Sequence, residues 1–385
     1  MLKVMDLFCG TGGFSKGFER SGGFEVVYGI DLLRLSVDTF KLNHPNALGV
    51  HGDIRKISRR EVADWLRLGP GSVDIIIGGP PCQGFSSIRP NRSINYEDPR
   101  NSLFEEFAAY VGYWHPKVFV FENVVGLATH RQGADLDAVQ EAFARQGYET
   151  DWRVINAAHF GVPQKRERLI LIGAEPGIPI IWPKPTHGGR FKTIGIREHS
   201  RMLLPNDEDN LHTVSYDELP PAITVLEAIG DLPPIASGEA TNQYTMPPLT
   251  QYQVDRRRNS AQLLNHDSTR HSSHMMEIIR HSGPNISCIP AHLISSGFSS
   301  CYSRLDANEP SPTITVNFIH PASNRCIHPN QDRALTPREG ARLQSFDDDF
   351  KFAGKNRAAI AKQIGNAVPP LLGRALGQSI SLMLE

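Results

Sequence analysis

The stretch "GGPPCQGFS", Gly78 to Ser86, sets a cysteine behind two prolines, with glycine on either side and the apolar run "VDIII" (Val73 to Ile77) in front. A structural cysteine packs inside a strand or helix as a small hydrophobe. Cys82 instead falls in a stiffened loop with room around it, where helix N-termini and cations favour a thiolate and therefore a nucleophile. Taken alone, an inert loop cysteine is the competing reading. Other chemistry-bearing residues fall at equivalent places. "FENV" puts Glu122 behind "KVFVF", where loss of water raises a carboxyl pKa and suits a proton donor; a helix cap or an ion-pair partner is the alternative. "GVPQKRERLILIG" sets Arg166 and Arg168 at i,i+2, which on an extended chain points both guanidiniums to one face, toward a phosphate, a carbonyl or a carboxylate such as Glu122.

A second constellation suits a nucleotide-like ligand. "DLFCGTGGFSKGF" places Gly10, Gly12 and Gly13 between an apolar run and a helical pattern, where glycine lets backbone N–H groups approach a ligand at a helix N-terminus. The spacing is not the G-x-G-x-x-G of dinucleotide-binding turns. Asp31 ends "FEVVYGID", a position from which a carboxylate holds ribose hydroxyls, and Asp53 ends "HGDI", placed to accept from an adenine amino group. Helix capping is the competing reading for both.

These residues need a scaffold that gathers them. "LKVMDLF", "FEVVYGID", "VDIIIGG", "KVFVFEN" and "RLILIGA" read as buried strands, separated by amphipathic segments such as "DTFKLN", "LFEEFAAYVGYW" and "LDAVQEAFARQG". That alternation predicts an α/β fold, a mainly parallel sheet covered on both faces, whose ligands lie beyond the carboxyl ends of the strands. Near Trp182 the alternation stops. Residues 1–183 with 350–385 are expected to form the larger domain, and 184–349 a second, smaller, irregular one. Its clearest local signals are a helix in "HSSHMMEIIRHSG", an extended run in "SPTITVNFI", and a helix in "LTPREGARLQSF" with Thr336 as N-cap and Pro337 at the first helical position. "QIGNAVPP" reads as a loop before a last helix that opens at its prolines.

Composition bounds the chemistry. With 385 residues, 40% apolar and 21% charged, the chain has the makeup of a soluble globular protein of two lobes. A formal net charge of −1 means that any polyanion-binding surface comes from local charge arrangement. Five cysteines without a C-x-x-C pair argue against a disulfide framework or zinc ribbon and fit a reducing cytoplasm. The opening "MLKVMDLFCG" lacks the apolar length of a signal peptide, and no run reaches the roughly 18 residues of a membrane span.

The motifs "DLFCGTGGFSKGF", "GGPPCQGFS", "FENV", "QKRER", "RLQSF" and "QIGNAVPP" stand in the order found in DNA (cytosine-5)-methyltransferases, and the chain resembles the bacterial, restriction–modification type of that family. The resemblance covers nearly the whole catalytic framework and leaves out the middle lobe. It implies a Rossmann-like, S-adenosyl-L-methionine-dependent methyltransferase fold with a target-recognition domain. It also implies Cys82 as the nucleophile that adds to C6 of a cytosine, Glu122 on the N3/N4 edge, Arg168 on O2 and Arg166 as its support. Phe8, Gly10 and Gly12 would surround the methionine part of S-adenosyl-L-methionine, Asp31 the ribose, Asp53 and Ile54 the adenine, with Asn366, Ala367 and Val368 completing the pocket. Gln83, Ser86 and Ser87 would lie in the loop over a cytosine flipped out of duplex DNA. Leu32 stands where some members carry an aromatic that stacks on adenine, and Asp347 where a proline commonly follows the Phe of "RLQSF".

In the second lobe, Arg256, Arg257 and Arg258 give a local basic excess suited to phosphates, and Arg304 sits among polar tips suited to a DNA groove. His266, His271, His274 and His281 lack a cysteine or H-E-x-x-H partner, so no metal site is expected. The expected partner is double-stranded DNA, bound by a monomer, with a restriction endonuclease of the same target as a possible companion. A tRNA cytosine-5 methyltransferase and a catalytically silent DNA-binding module are the alternatives. An exocyclic-amine methyltransferase would carry an aromatic after the prolines, and a nicotinamide oxidoreductase fails on glycine spacing.

Overall fold

A computed structural model describes residues 1–81, 103–189, 191, 218–294 and 297–385. Cys82, Gln83, Ser86 and Ser87 lie outside the described residues. The chain divides into two compact units: Met1–Phe160 with Glu167–Pro220 and Pro370–Glu385, and Gly161–Arg166 with Pro221–Pro369.

The first unit is built on a seven-stranded sheet of order β3-β2-β1-β4-β5-β8-β6. Its strands are β1 (Leu2–Leu7), β2 (Phe24–Asp31), β3 (Leu48–His51), β4 (Ile75–Gly78), β5 (Val118–Asn123), β6 (Glu149–Asn156) and β8 (Glu167–Ala174). All five apolar runs of the sequence are strands here. Ile75, Ile76 and Ile77, and Val118 to Phe121, are fully buried, as continuous apolar runs in a sheet covered on both faces must be. β1 to β5 pair in parallel, while β8 runs antiparallel between β5 and β6. Helices α1 (Gly13–Ser21), α2 (Arg34–Asn43), α3 (Arg59–Leu66), α4 (Leu103–Trp114), α5 (Gly126–Thr129), α6 (Ala134–Ala144) and α12 (Pro370–Leu384) complete this unit. Phe107 of α4 and Phe143 of α6 meet Phe119 and Phe121 in an aromatic core, with Phe119 and Phe143 rings 4.1 Å apart. That core anchors β5, and so the position of Glu122 at its end.

The strand order reverses between β1 and β4, where Leu7 lies opposite Gly78. A crevice opens at such a switch point beyond the carboxyl ends of the strands. The turn Phe8–Gly13 leaves β1 there, Gly79–Pro81 leaves β4, and Glu122 ends neighbouring β5, where Gly78 lies opposite Phe121. The sheet thus gathers at one edge the residues that the sequence scatters over more than a hundred positions.

The second unit holds β7 (Gln164–Lys165), β9 (Ser311–Pro312), α7 (Val225–Ile229), α8 (Gln251–Arg257), α9 (Ser273–Arg280), α10 (Pro337–Leu343) and α11 (Arg357–Asn366). The expected domain edge at 350 moves to Pro370, because Phe346, Phe350 and Phe352 stack on one another and α11 packs on α10. "QIGN" is accordingly the end of a helix, α11, and not a loop. "SPTITVNFI" forms a strand over Ser311–Pro312 alone. Its partner β7 has two residues, and beyond them Ile314 N donates to Gln164 Oε1 instead of to a backbone carbonyl. α10 begins as its sequence predicts, with Thr336 and Glu339 capping each other's backbone N–H and Pro337 behind the cap.

Candidate active site

Glu122 and Arg168 face each other across the antiparallel pair β5–β8. Arg168 Nε donates to Glu122 Oε1 at 2.8 Å, with the two side chains 15% and 13% exposed. Arg168 Nη1 also donates to the Glu167 carbonyl at 2.7 Å, which fixes the plane of the guanidinium. Glu122 is therefore an ion-paired acid, the alternative considered from sequence, and not the lone desolvated donor expected of "KVFVFEN". A pair held this way presents a carboxylate edge and N–H donors side by side, the complement of a ring with adjacent donor and acceptor atoms.

The loop after β4 is fitted to that pair. A Cβ on Gly79 would stand 2.7 Å from Glu122 Oε2, so a side chain there would drive the carboxylate away. Asn123 donates through Nδ2 to the Pro80 carbonyl at 3.1 Å and accepts from Val124 N at 2.9 Å. Asn123 was not foreseen as a site residue. It ties the end of β5 to the proline step that immediately precedes Cys82 in the chain.

Arg166 and Arg168 meet different partners. The chain breaks between β7 and β8 at Arg166, so the uniform extended run assumed for "QKRER" is absent. The Arg166 guanidinium is buried and donates to the carbonyls of Ile314, Gly365 and Ala367 at 3.4, 3.3 and 3.2 Å. Gln164 donates to Leu343 O and to Gln344, and Gln344 Nε2 donates to Ile364 O and Ala367 O at 3.0 and 2.9 Å. "QKRER", "RLQSF" and "QIGNAV" are thus one hydrogen-bonded knot at the C-terminus of α11, where cationic donors meet otherwise orphaned carbonyls. Arg166 there ties Ala367 to Ile314 and Gly365. Asn366 is exposed, Ala367 is buried and Val368 lies between them in exposure.

The turn after β1 has the features of a cofactor cradle. Phe8, Gly10 and Gly12 take left-handed conformations, with φ of 59°, 52° and 83°. Asp31 at the end of β2 accepts from Gly10 N at 3.0 Å and from Leu33 N at 2.7 Å, stitching the turn to the neighbouring strand. A Cβ on Gly10 would meet nothing within 4 Å, and Gly12 is the N-cap of α1, with no side-chain cap there. The apolar side chain of Leu32 beside Asp31 is 63% exposed. These residues fit a ligand with ribose hydroxyls and an apolar ring. Asp53 caps the turn Ile54–Lys56 and holds the Arg55 guanidinium at 2.9 and 2.7 Å, which lowers its pKa, while the Ile54 side chain joins the core. The capping role weighed for Asp53 is realised.

Asp6, at the end of β1, is a buried acid that the sequence did not single out. Burial pushes its carboxyl up to about 7, against the opposing hydrogen bond from Ser15 Oγ at 2.6 Å. Unfolded, an aspartate ionises near pH 4, so the unfolded chain binds fewer protons than the fold between about pH 4 and 7 and stability falls as pH rises across that window. Asp6→Asn, which cannot ionise, is expected to melt higher than the parent at pH 8 and no higher at pH 5. Equal shifts in thermal melts at both pH values would show that Asp6 ionises freely in the fold. Burial also pushes up the thiols of Cys9 and Cys326, which keeps them neutral.

Three of the four arginines expected on DNA are structural. Arg256 is 5% exposed and donates to Ser345 O at 2.8 Å beside Asp347. Arg257 pairs with Asp231 at 3.2 Å and lies 3.7 Å over the Tyr244 ring. Arg304 spends its donors on the carbonyls of Ile279, His328 and Gln331 and on Asp332. A run of three arginines on a helix spreads over a wide arc, so α8 turns Arg256 inward and leaves Arg258, paired with Asp255 at 2.9 Å, in solvent. Arg270 and Arg280 are also exposed. His266 is buried between Thr336 Oγ1 and the Pro233 carbonyl, and His271 accepts from Ala334 N. No helix among the described residues is long and apolar enough to cross a membrane.

A family model described as C-5 cytosine-specific DNA methylase matches residues 2–382. Among curated relatives, the Type II methyltransferase M.AgeI of Thalassovita gelatinovora is 32% identical, with both chains covered in full. M1.HphI of Haemophilus parahaemolyticus, also a Type II methyltransferase, is 34% identical over 99% of this chain and 87% of its own. A crystal structure of a putative prophage-encoded DNA modification methyltransferase from E. coli superposes with a TM-score of 0.73 over 100% of this chain and 99% of the other. At 24% identity that likeness bears on the fold alone.

Proposed function

The chain belongs to the C-5 cytosine-specific DNA methylase family, and we propose that it works through a covalent adduct between Cys82 and a flipped cytosine, as the modification partner of a restriction endonuclease. S-adenosyl-L-methionine is the methyl donor of this family and supplies an electrophilic methyl group when bound. The observation that carries the active-site assignment is the Glu122–Arg168 pair at the carboxyl end of β5, beside the strand whose loop leads into Cys82.

C5 of cytosine is a poor nucleophile because its electrons belong to an aromatic ring. Addition of the Cys82 thiolate at C6 forms a C–S bond and moves the C5–C6 π electrons onto C5, the position that is methylated. Charge builds at N3 and O2 in that step. Glu122 holds the N3/N4 edge of the protonated ring and Arg168 donates to O2, and their mutual pairing fixes both before the base arrives. With the donor bound, C5 would take its methyl group and leave S-adenosylhomocysteine; loss of the C5 proton to a solvent base then re-forms the C5–C6 double bond and expels Cys82 as thiolate, releasing 5-methylcytosine. Phe8, Gly10, Gly12 and Asp31 hold the methionine and ribose portions of the donor. Asp53 and Ile54 meet the adenine, and Asn366, Ala367 and Val368 also belong to the donor-binding set. Gln83, Ser86 and Ser87 contact the DNA around the flipped base. Arg258, with exposed Arg270 and Arg280, takes phosphates in a domain that recognises the target. The chain acts in the cytoplasm as a monomer on DNA.

Purified protein, duplex DNA and methyl-labelled S-adenosyl-L-methionine test the reading. Label is expected in duplex cytosines within one short sequence mapped by bisulfite sequencing, and DNA so modified should resist an endonuclease with that target. Label entering tRNA and not DNA would overturn it.

A further inference from the structure

His44 follows α2 and is buried with its ring between the donor-site turn and α1. Its Nε2 lies 3.1 Å from the Gly12 carbonyl and its Nδ1 2.8 Å from Glu19 Oε1, while the ring lies against Phe40 with centroids 4.6 Å apart. The side chain is 0% exposed. A Cβ on Gly12 would stand 2.4 Å from His44 Nε2, so the imidazole occupies the place a side chain at position 12 would take. Gly12 also has φ of 83° and is the N-cap of α1, its carbonyl accepting the first helical bond from Lys16 N at 2.8 Å. The Gly12 peptide therefore joins the glycine turn to the start of α1. A carbonyl accepts and does not donate, so the ring donates through Nε2. Burial raises the Glu19 carboxyl, but His44 and Lys16 outweigh it and hold it below the usual range.

We propose that His44 is a positioning residue for the methyl-donor site: by donating from Nε2 to the Gly12 carbonyl it locks the left-handed Gly12 peptide, and with it the junction of the glycine turn and α1 against which the donor is bound. The Glu19 contact holds the ring in its seat and is secondary. This rests on the donor being bound at the turn after β1.

The two ring nitrogens can be separated by amide side chains. Glutamine places its Nε2 near the histidine Nε2 and keeps the donor to Gly12, whereas asparagine places its nitrogen near Nδ1 and keeps only the Glu19 partner. Calorimetric titration of the full-length protein with S-adenosylhomocysteine is expected to give His44→Gln and Glu19→Ala affinities within about twofold of the parent. His44→Asn and His44→Phe should bind about tenfold or more weakly, the scale of one hydrogen bond lost from a buried acceptor. His44→Phe retains the ring packed on Phe40, so it carries the test if the asparagine variant melts early. Full affinity in His44→Phe, or equal losses in His44→Gln and His44→Asn, would overturn the proposal, because a role limited to packing α2 on α1 predicts no such split. Asp31→Ala serves as the control. Unchanged affinity there would remove the donor from this turn, whereas a weakened Asp31→Ala beside an unaffected His44→Phe would sink the His44 inference alone.

Discussion

Cys82→Ser is expected to lose methyl transfer to duplex DNA by roughly 10³-fold or more while still binding the donor and DNA. Serine keeps the size of the side chain and removes its acidity: a thiol ionises near pH 8.5, within reach of neutral pH, and an alcohol does not. Without the S–C6 bond, C5 keeps its aromatic electrons and has nothing with which to attack. The measurement is single-turnover transfer of labelled methyl, together with trapping of a covalent complex on DNA containing a C5 group that blocks release of the enzyme. Parent enzyme should give the trapped complex and Cys82→Ser should not. Transfer retained within tenfold would reject the covalent route. Glu122→Gln gives a second, independent reading at the same centre. It leaves the Arg168 Nε–H an oxygen to donate to, at the position now 2.8 Å away, but removes the charge that stabilises a protonated ring. Its loss should fall in the rate of adduct formation and not in donor affinity, since Glu122 and the turn proposed to hold the donor lie at the ends of different strands.

Much of this centre is legible in the chain because it is written in local signals. Continuous apolar runs mark β1, β2, β4 and β5, and in a parallel sheet the chemistry must lie where such runs end, which points to Asp31, the glycine turn, "PPC" and Glu122 without further information. Thr336, Pro337 and Glu339 announce the start of α10 by spacing alone. The rest fails where the partner is distant in sequence. An apolar run such as "RLILIGA" looks the same in either direction, so the antiparallel placement of β8 between β5 and β6 is invisible, although that placement is what brings Arg168 onto Glu122. Arg166 reads as a site residue because the carbonyls it satisfies lie across the second unit, 148 residues away for Ile314. Arg256 and Arg304 are misread for a related reason: a count of positive charge ignores which face of a helix, or which ring of carbonyls, each guanidinium meets. His44 carries no signal at all, since its role arises only when α2 returns it behind Gly12.

The same buried charges that mislead a sequence reading give the second unit its largest stability effect. Asp231→Ala is expected to cost about 3–5 kcal/mol and to lower the melting temperature by roughly 10 °C. Asp231 is fully buried and meets Arg342 at 3.1 and 3.3 Å and Arg257 at 3.2 Å. Arg342 in turn donates to both oxygens of Asp348 at 2.6 Å and to the Ala228 carbonyl at 2.9 Å. Removing one carboxylate leaves two guanidiniums short of a counter-charge in a dry interior, and the cost is that of the uncompensated charge more than of the lost contact. Arg342→Met alone leaves Asp348 short of its own counter-charge, so the losses of Asp231→Ala and Arg342→Met should combine to less than their sum by a coupling of about 1–3 kcal/mol in a double-mutant cycle; strict additivity would show that the pair does not interact. Acid should act on the same network. Burial would raise Asp348 and Glu339, but Arg342 and Arg333 outweigh it and hold both carboxyls below the usual range. Their stabilisation is complete above the ordinary carboxylate pKa near 4 and is withdrawn as pH falls below it. Glu339→Gln should flatten that acid limb in denaturant melts between pH 5 and 3, at the expense of a less stable protein at pH 7, where Arg333 loses both of its charged bonds to position 339.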